Sequence, residues 1–255
     1  MLSKYTLPHY KFHNHRPKRF WPILKFAIII LIILAGLYFL VNYVFAQKLA
    51  DKDLKVASEL QAADDCKSAI SNYKAAAVRS KKDHPTFMTA LNGLWSCNEL
   101  EWAQKYTSKI YDKRPGDDLT DLLAQMMITR FSIDSNNKAV YSSSESDISK
   151  IKDLLKKSSP LTKITYQTIF EEKISENDSE YQELINKINS PYNIKTKILI
   201  IAQYLNENNS AQFGTDLAER IQDADKNYRD AYLVIGYGYL KLNRLNDAKT
   251  PYFRP

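Results

Sequence analysis

Residues 69–77 read AISNYKAAA, and the apolar members Ala69, Ile70, Tyr73, Ala76 and Ala77 fall at i, i+1, i+4, i+7 and i+8. That spacing lines one face of a helix, because residues three and four apart stack along its axis. The same rhythm returns further on. Ile148, Ile151, Leu154 and Leu155 make a stripe, as do Tyr181, Leu184, Ile185 and Ile188, and then Phe213, Leu217, Ala218 and Ile221. Breaks at Asp83-His84-Pro85, Arg114-Pro115-Gly116, Ser159-Pro160 and Ser190-Pro191 cut residues 48–255 into short segments, each of a length (roughly 12–16 residues) suited to one helix. Alternating strand patterns are hard to find, and the Ser/Asn-rich stretch from Ser132 to Ser146 reads as a loosened turn or loop. The expectation is an all-α fold of antiparallel helical hairpins.

The 255 residues carry 36 Lys and Arg against 29 Asp and Glu, a net charge of +7. This excess sits at one end. Residues 1–47 hold Lys4, Lys11, Arg16, Lys18, Arg19 and Lys25 and no acidic residue, which leaves 30 basic against 29 acidic residues for the remainder. A nearly neutral globular part argues against nucleic acid as a partner.

From Phe26 to Ala46 the chain reads FAIIILIILAGLYFLVNYVFA, without a charge. At about 1.5 Å per residue such a helix spans about 30 Å, the hydrocarbon thickness of a bilayer. The expected organisation is a basic cytoplasmic tail over 1–21, a transmembrane helix over 22–47 and an exported helical domain over 48–255. The basic residues before the apolar run place the N-terminus in the cytoplasm. A cleaved signal peptide ending at Val44-Phe45-Ala46 is the alternative, and both readings export the rest of the chain. His9, His13 and His15 lie in a tail with no Cys or carboxylate to complete a metal site, so no metal and no cofactor is expected.

Ala69 and Ala103 stand 34 residues apart, each early in the second helix of a hairpin. Aligned on them, Val56, Ala57, Leu60, Tyr73 and Ala76 fit one unit, and Phe87, Leu94 and Pro115 the next. Tyr232, Ile235, Gly236, Tyr239, Ala248 and Tyr252 fit a third. In these residues the chain resembles the tetratricopeptide-repeat family, which implies a TPR-like α-solenoid with its clearest repeats over 50–81, 84–116 and 229–255. Asp53, Leu91 and Thr107 depart from the family pattern, and the register is lost between about 117 and 226, so the resemblance covers roughly half of the exported part. The last repeat ends three residues after Tyr252, where the family continues through its second helix, so a further domain beyond Pro255 is expected.

The repeat register puts Cys66 and Cys97 at helix–helix turns on one edge of adjacent units. A disulfide is permitted there if the Cα atoms come within about 7 Å; buried free thiols are the alternative. No nucleophile elbow, phosphate loop, dinucleotide fingerprint or zinc-protease signature occurs, and His84 is the sole histidine outside the tail. The expectation is no enzyme, no catalytic residue and no small-molecule substrate.

In this family the concave groove binds protein or peptide partners. The resemblance places Met88, Asn92 and Trp95 of the second unit and Leu233, Tyr237 and Lys241 of the last in that groove, while Trp95 and Tyr237 would alternatively pack between units. It therefore implies a tethered scaffold at the outer face of the cytoplasmic membrane, in secretion, pilus or envelope assembly. The alternative is a stalk for an anchored enzyme or receptor whose active domain lies beyond residue 255.

Overall fold

The computed structural model describes residues 20–40, 45–141, 145–174 and 179–252. The chain divides into two units, 1–46 and 47–255. In the first, helix α1 spans Phe20–Leu40. Its side chains over 24–39 are all exposed, apolar ones such as Phe26, Leu31 and Tyr38 included. Among the described residues no helix is long and apolar enough to cross a membrane. The apolar run continues in sequence to Ala46, but 41–44 lie outside the described residues, as do the tail histidines.

The second unit opens with α2 (Ala46–Ala62) and α3 (Cys66–Arg79), then α4 (Pro85–Ser96) and α5 (Leu100–Tyr111). Residues 46 and 47, expected inside a membrane helix, belong to the start of α2. Gln47 accepts a hydrogen bond from the Lys81 amide at 3.0 Å, which fastens α2 to the end of the first hairpin. Next come α6 (Asp117–Ile128), β1 (Phe131–Ile133), β2 (Ala139–Tyr141), α7 (Glu145–Leu155) and α8 (Pro160–Ile169). The chain continues through α9 (Gln182–Ile188), α10 (Ile194–Glu207), α11 (Ala211–Ala224), α12 (Arg229–Lys241) and α13 (Leu245–Tyr252). Prolines 85 and 160 each occupy a first helical turn, behind His84 and Ser159 as N-caps; a missing N–H costs nothing there.

Four hairpin turns are built alike. Asp64, Asn98, Asn209 and Asn243 take left-handed backbone angles, φ 67°, 63°, 61° and 57°. The next residue returns its amide to a carbonyl five back: Asp65 to Leu60, Glu99 to Leu94, Ser210 to Leu205 and Arg244 to Tyr239. Asn and Asp tolerate this conformation and so end helices where glycine otherwise would. Residues 64 and 98 are 34 apart, and so are 209 and 243. Five positions after each stands a buried small residue, Ala69, Ala103, Gly214 or Ala248. The turn at 209 falls inside the span where the sequence register was lost. Alanine is replaced there by Gly214, whose bareness lets α11 approach α10; a Cβ would collide with the Ala202 carbonyl oxygen and the Asn206 side chain.

The departures from the repeat pattern have local causes. Asp53 is paired with Arg79, so an ion pair ties α2 to α3 where an aromatic was expected. Leu91 is fully buried, and Thr107 is too, its hydroxyl without a hydrogen-bond partner.

The loop expected over 132–146 is instead largely a β-hairpin, a correction to the purely helical reading. Phe131 pairs with Tyr141 and Ile133 with Ala139. Its turn is held by the Asp134 carboxylate, which accepts from the amides of Asn136 and Lys138, both at 2.8 Å, while Asn137 takes φ 57°. Phe131 is buried and β1 packs against α11.

Helix α11 is buried continuously from Ala211 to Ala218, polar residues included. It lies against α10, α12, β1 and α4. The sequence stripe Phe213, Leu217, Ala218, Ile221 accounts for one face of it; the other face is covered by α4.

Candidate binding groove

A cavity of about 550 Å³ opens where the carboxyl ends of α4, α10 and α12 meet the face of α6. Met88, Asn92 and Trp95 line it from α4 at i, i+4 and i+7, and Asp118, Leu122 and Gln125 from α6 at the same spacing. Two such rows face each other because each repeats along one side of its helix. A second cavity, of about 560 Å³, shares Met88 and Asp118 with the first and extends past Pro85 toward Arg114. Together they form one groove along α4. Of the six residues placed in a groove by the sequence, Met88, Asn92, Trp95 and Lys241 line the first cavity, and Leu233 and Tyr237 do not. Leu233 stands exposed on α12, and Tyr237 lies with its ring 5.2 Å from the Lys241 ammonium.

Trp95 is only 2% exposed, and its indole Nε1 donates to Asp216 Oδ2 at 2.5 Å. It meets the cavity as a wall rather than as a free donor. A polar layer extends from it. Gln212 Nε2 donates to Asp216 Oδ1 at 2.7 Å, Ser96 Oγ donates to Gln212 Oε1 at 2.6 Å, and Arg244 Nη1 donates to the Ser96 carbonyl at 2.7 Å. Burial pushes the Asp216 carboxyl up to about 7, reinforced by Glu219 and opposed by the Trp95 and Gln212 donors and by Arg220. Burial also raises Glu219, against the hydrogen bond from Tyr239 and the charges of Arg244 and Arg220.

Cys66, at the start of α3, and Cys97, just after α4, form a disulfide with Cα atoms 5.3 Å apart. It holds α4 one residue from Ser96. His84 has a structural environment: its Nδ1 lies 2.9 Å from Thr86 Oγ1 and 3.0 Å from Gln47 Nε2. In the second cavity Lys82 extends over the rings of Phe87 and Tyr106 and donates to the Ala77 carbonyl at 2.7 Å. Burial lowers its ammonium to about 8. Among the described residues no group of three or more His, Cys, Asp or Glu side chains is placed to hold a metal.

Comparison with protein-family models, with curated proteins and with solved structures finds no match. The groove is therefore read from its own geometry.

Sequence reasoning missed Gln212 and Asp216, because polar residues opposite an apolar stripe read as a solvated face. The available signal was Trp95, whose buried N–H requires an acceptor. Nothing local in the sequence names which one.

Proposed function

We propose that this chain is a membrane-tethered helical-repeat scaffold that holds a peptide segment of a protein partner in the groove along α4. The groove itself carries the reading: two adjoining cavities open along the exposed side of a helix whose opposite side is fixed in the core. Hairpin turns recurring at 34 residues, with small residues at the helix crossings, support a TPR-like array. The uncharged run 26–46 behind a basic tail supports an anchor with the repeats on the outer face of the cytoplasmic membrane. Such a scaffold serves assembly or secretion without catalysing a reaction.

A photo-crosslinking residue placed at Asn92 tests the groove, with one at exposed Asn186 on α9 as control. In intact membranes the Asn92 position should give a discrete adduct that the Asn186 position does not. Equal labelling from both positions would sink the groove as the binding surface. The anchor has its own test: the full chain should stay with the membrane pellet at alkaline pH, and release into the supernatant would refute it.

A further inference from the structure

Resting on the groove reading above, we infer that the first cavity receives the cationic side chain of a lysine or arginine, so that the partner segment is basic. Helices α4, α10 and α12 direct their carboxyl ends at this cavity through Ser96, Glu207 and Lys241, against the amino ends of α6 and α11, which enter it through Asp118 and Ala211. Each helix end carries about half a negative charge on its last carbonyl groups. The chain answers one of these carboxyl ends with a guanidinium of its own, Arg244 donating to the Ser96 carbonyl of α4, and another with Lys241 in the last turn of α12. The end of α10 has no such partner among the described residues, and a carboxylate, Glu207, stands there instead. A carboxylate at a helix carboxyl end is disfavoured by the dipole; Glu207 is held there by a hydrogen bond from Gln203 Nε2, one turn back, at 3.2 Å.

Across the opening stands Asp118, exposed in the first turn of α6; among the described residues neither Asp118 nor Glu207 makes an ion pair within 4 Å, and Lys187 of α9 shares a neighbouring cleft with Glu207. Asp121 is already engaged, accepting from the Ser159 amide and hydroxyl. Among the described residues Lys241 is the single cationic side chain in the lining. Met88, Leu122 and Phe213 supply the apolar wall along which the aliphatic stem of a lysine or arginine lies while its charged head reaches the carboxylates. Residues 48–255 are close to neutral as a whole, with 30 basic against 29 acidic residues. A preference for a basic segment must therefore arise locally.

The test uses the full chain in zwitterionic detergent micelles and three labelled, end-capped peptides of about ten residues. These share a leucine, tyrosine and serine background and differ at three positions, which carry lysine, glutamine or glutamate. Fluorescence anisotropy should rank them lysine, then glutamine, then glutamate. The double variant D118N/E207Q should weaken the lysine peptide about 2- to 20-fold while leaving the helical melting curve unchanged. Glutamine or glutamate peptides binding as tightly as lysine would overturn the charge assignment and leave the groove reading in place. Lysine binding that D118N/E207Q does not weaken would overturn the assignment to this cavity. If none of the three binds, both readings fail.

Discussion

Trp95 and Asp216, 121 residues apart in sequence, are joined by a 2.5 Å hydrogen bond from indole Nε1 to carboxyl Oδ2, with both side chains buried. The carboxyl is raised from 3.8 to about 7, so between those values the folded chain holds a proton that the unfolded chain releases. Its stabilisation is complete below about pH 4 and is lost as pH rises through about 7.

Asp216→Asn keeps the shape and removes the titration. Moving from about pH 4.5 to about pH 7.5, the stability difference should shift toward the variant by about 3 kcal/mol. Urea midpoints measured at both pH values check this. A difference that stays constant would show that the carboxyl titrates normally.

Trp95→Phe retains most of the ring and deletes the donor, leaving Asp216 with Gln212 alone. The expected loss is about 1–3 kcal/mol, the cost of an unmet buried polar group. Trp95→Ala should lose more, about 3–5 kcal/mol, through the cavity it opens. Chemical denaturation of the two variants side by side separates the hydrogen bond from the packing.

The Cys66–Cys97 bridge closes a loop with a sequence separation of 31. Loop-closure entropy predicts about 3–4 kcal/mol from such a bridge. Thermal melts with and without reductant should differ accordingly, and the double variant C66A/C97A should melt like the reduced chain in both conditions. A reductant effect that persisted in the variant would point to some other cause.

Gly214→Ala is informative because helix propensity alone favours alanine by about 1 kcal/mol, and the equivalent positions of the other three hairpins carry it. Contact with the Ala202 backbone predicts the opposite sign, a loss of about 1–3 kcal/mol. A more stable variant would mean that α10 and α11 can separate at little cost.

Helix positions were legible in the sequence wherever an apolar stripe met a proline or a capping residue, as at His84-Pro85 and Ser159-Pro160. The third 34-residue hairpin was not, because Gly214 stands where alanine was sought and Ile198 where an aromatic was. The β-hairpin escaped because its strands are three residues each, too short for alternation to register. Its readable sign was an Asp134-to-Asn137 turn between Phe131 and Tyr141. Met88, Asn92 and Trp95 came together because they share one helix side, which a 3.6-residue period fixes, and Lys241 joins them from the end of α12. The opposite wall, Asp118 and Leu122, depended on where the loop after α5 sends α6, and no local pattern encodes that.

Repeat arrays in which each unit touches only its neighbours can gain or lose a unit and can unfold from one end. Here Ser96 and Trp95 of the second hairpin are bonded to Gln212 and Asp216 of the third, and Arg244 of the fourth reaches back to Ser96. These links span 116 to 148 residues. Unit number is thereby fixed, since deleting or duplicating a hairpin between them would leave Asp216 buried without its indole. The same links raise the contact order, so closure must wait for distant segments to meet and folding is slowed. Unfolding is expected as one cooperative event, with partial loss from the C-terminal end suppressed.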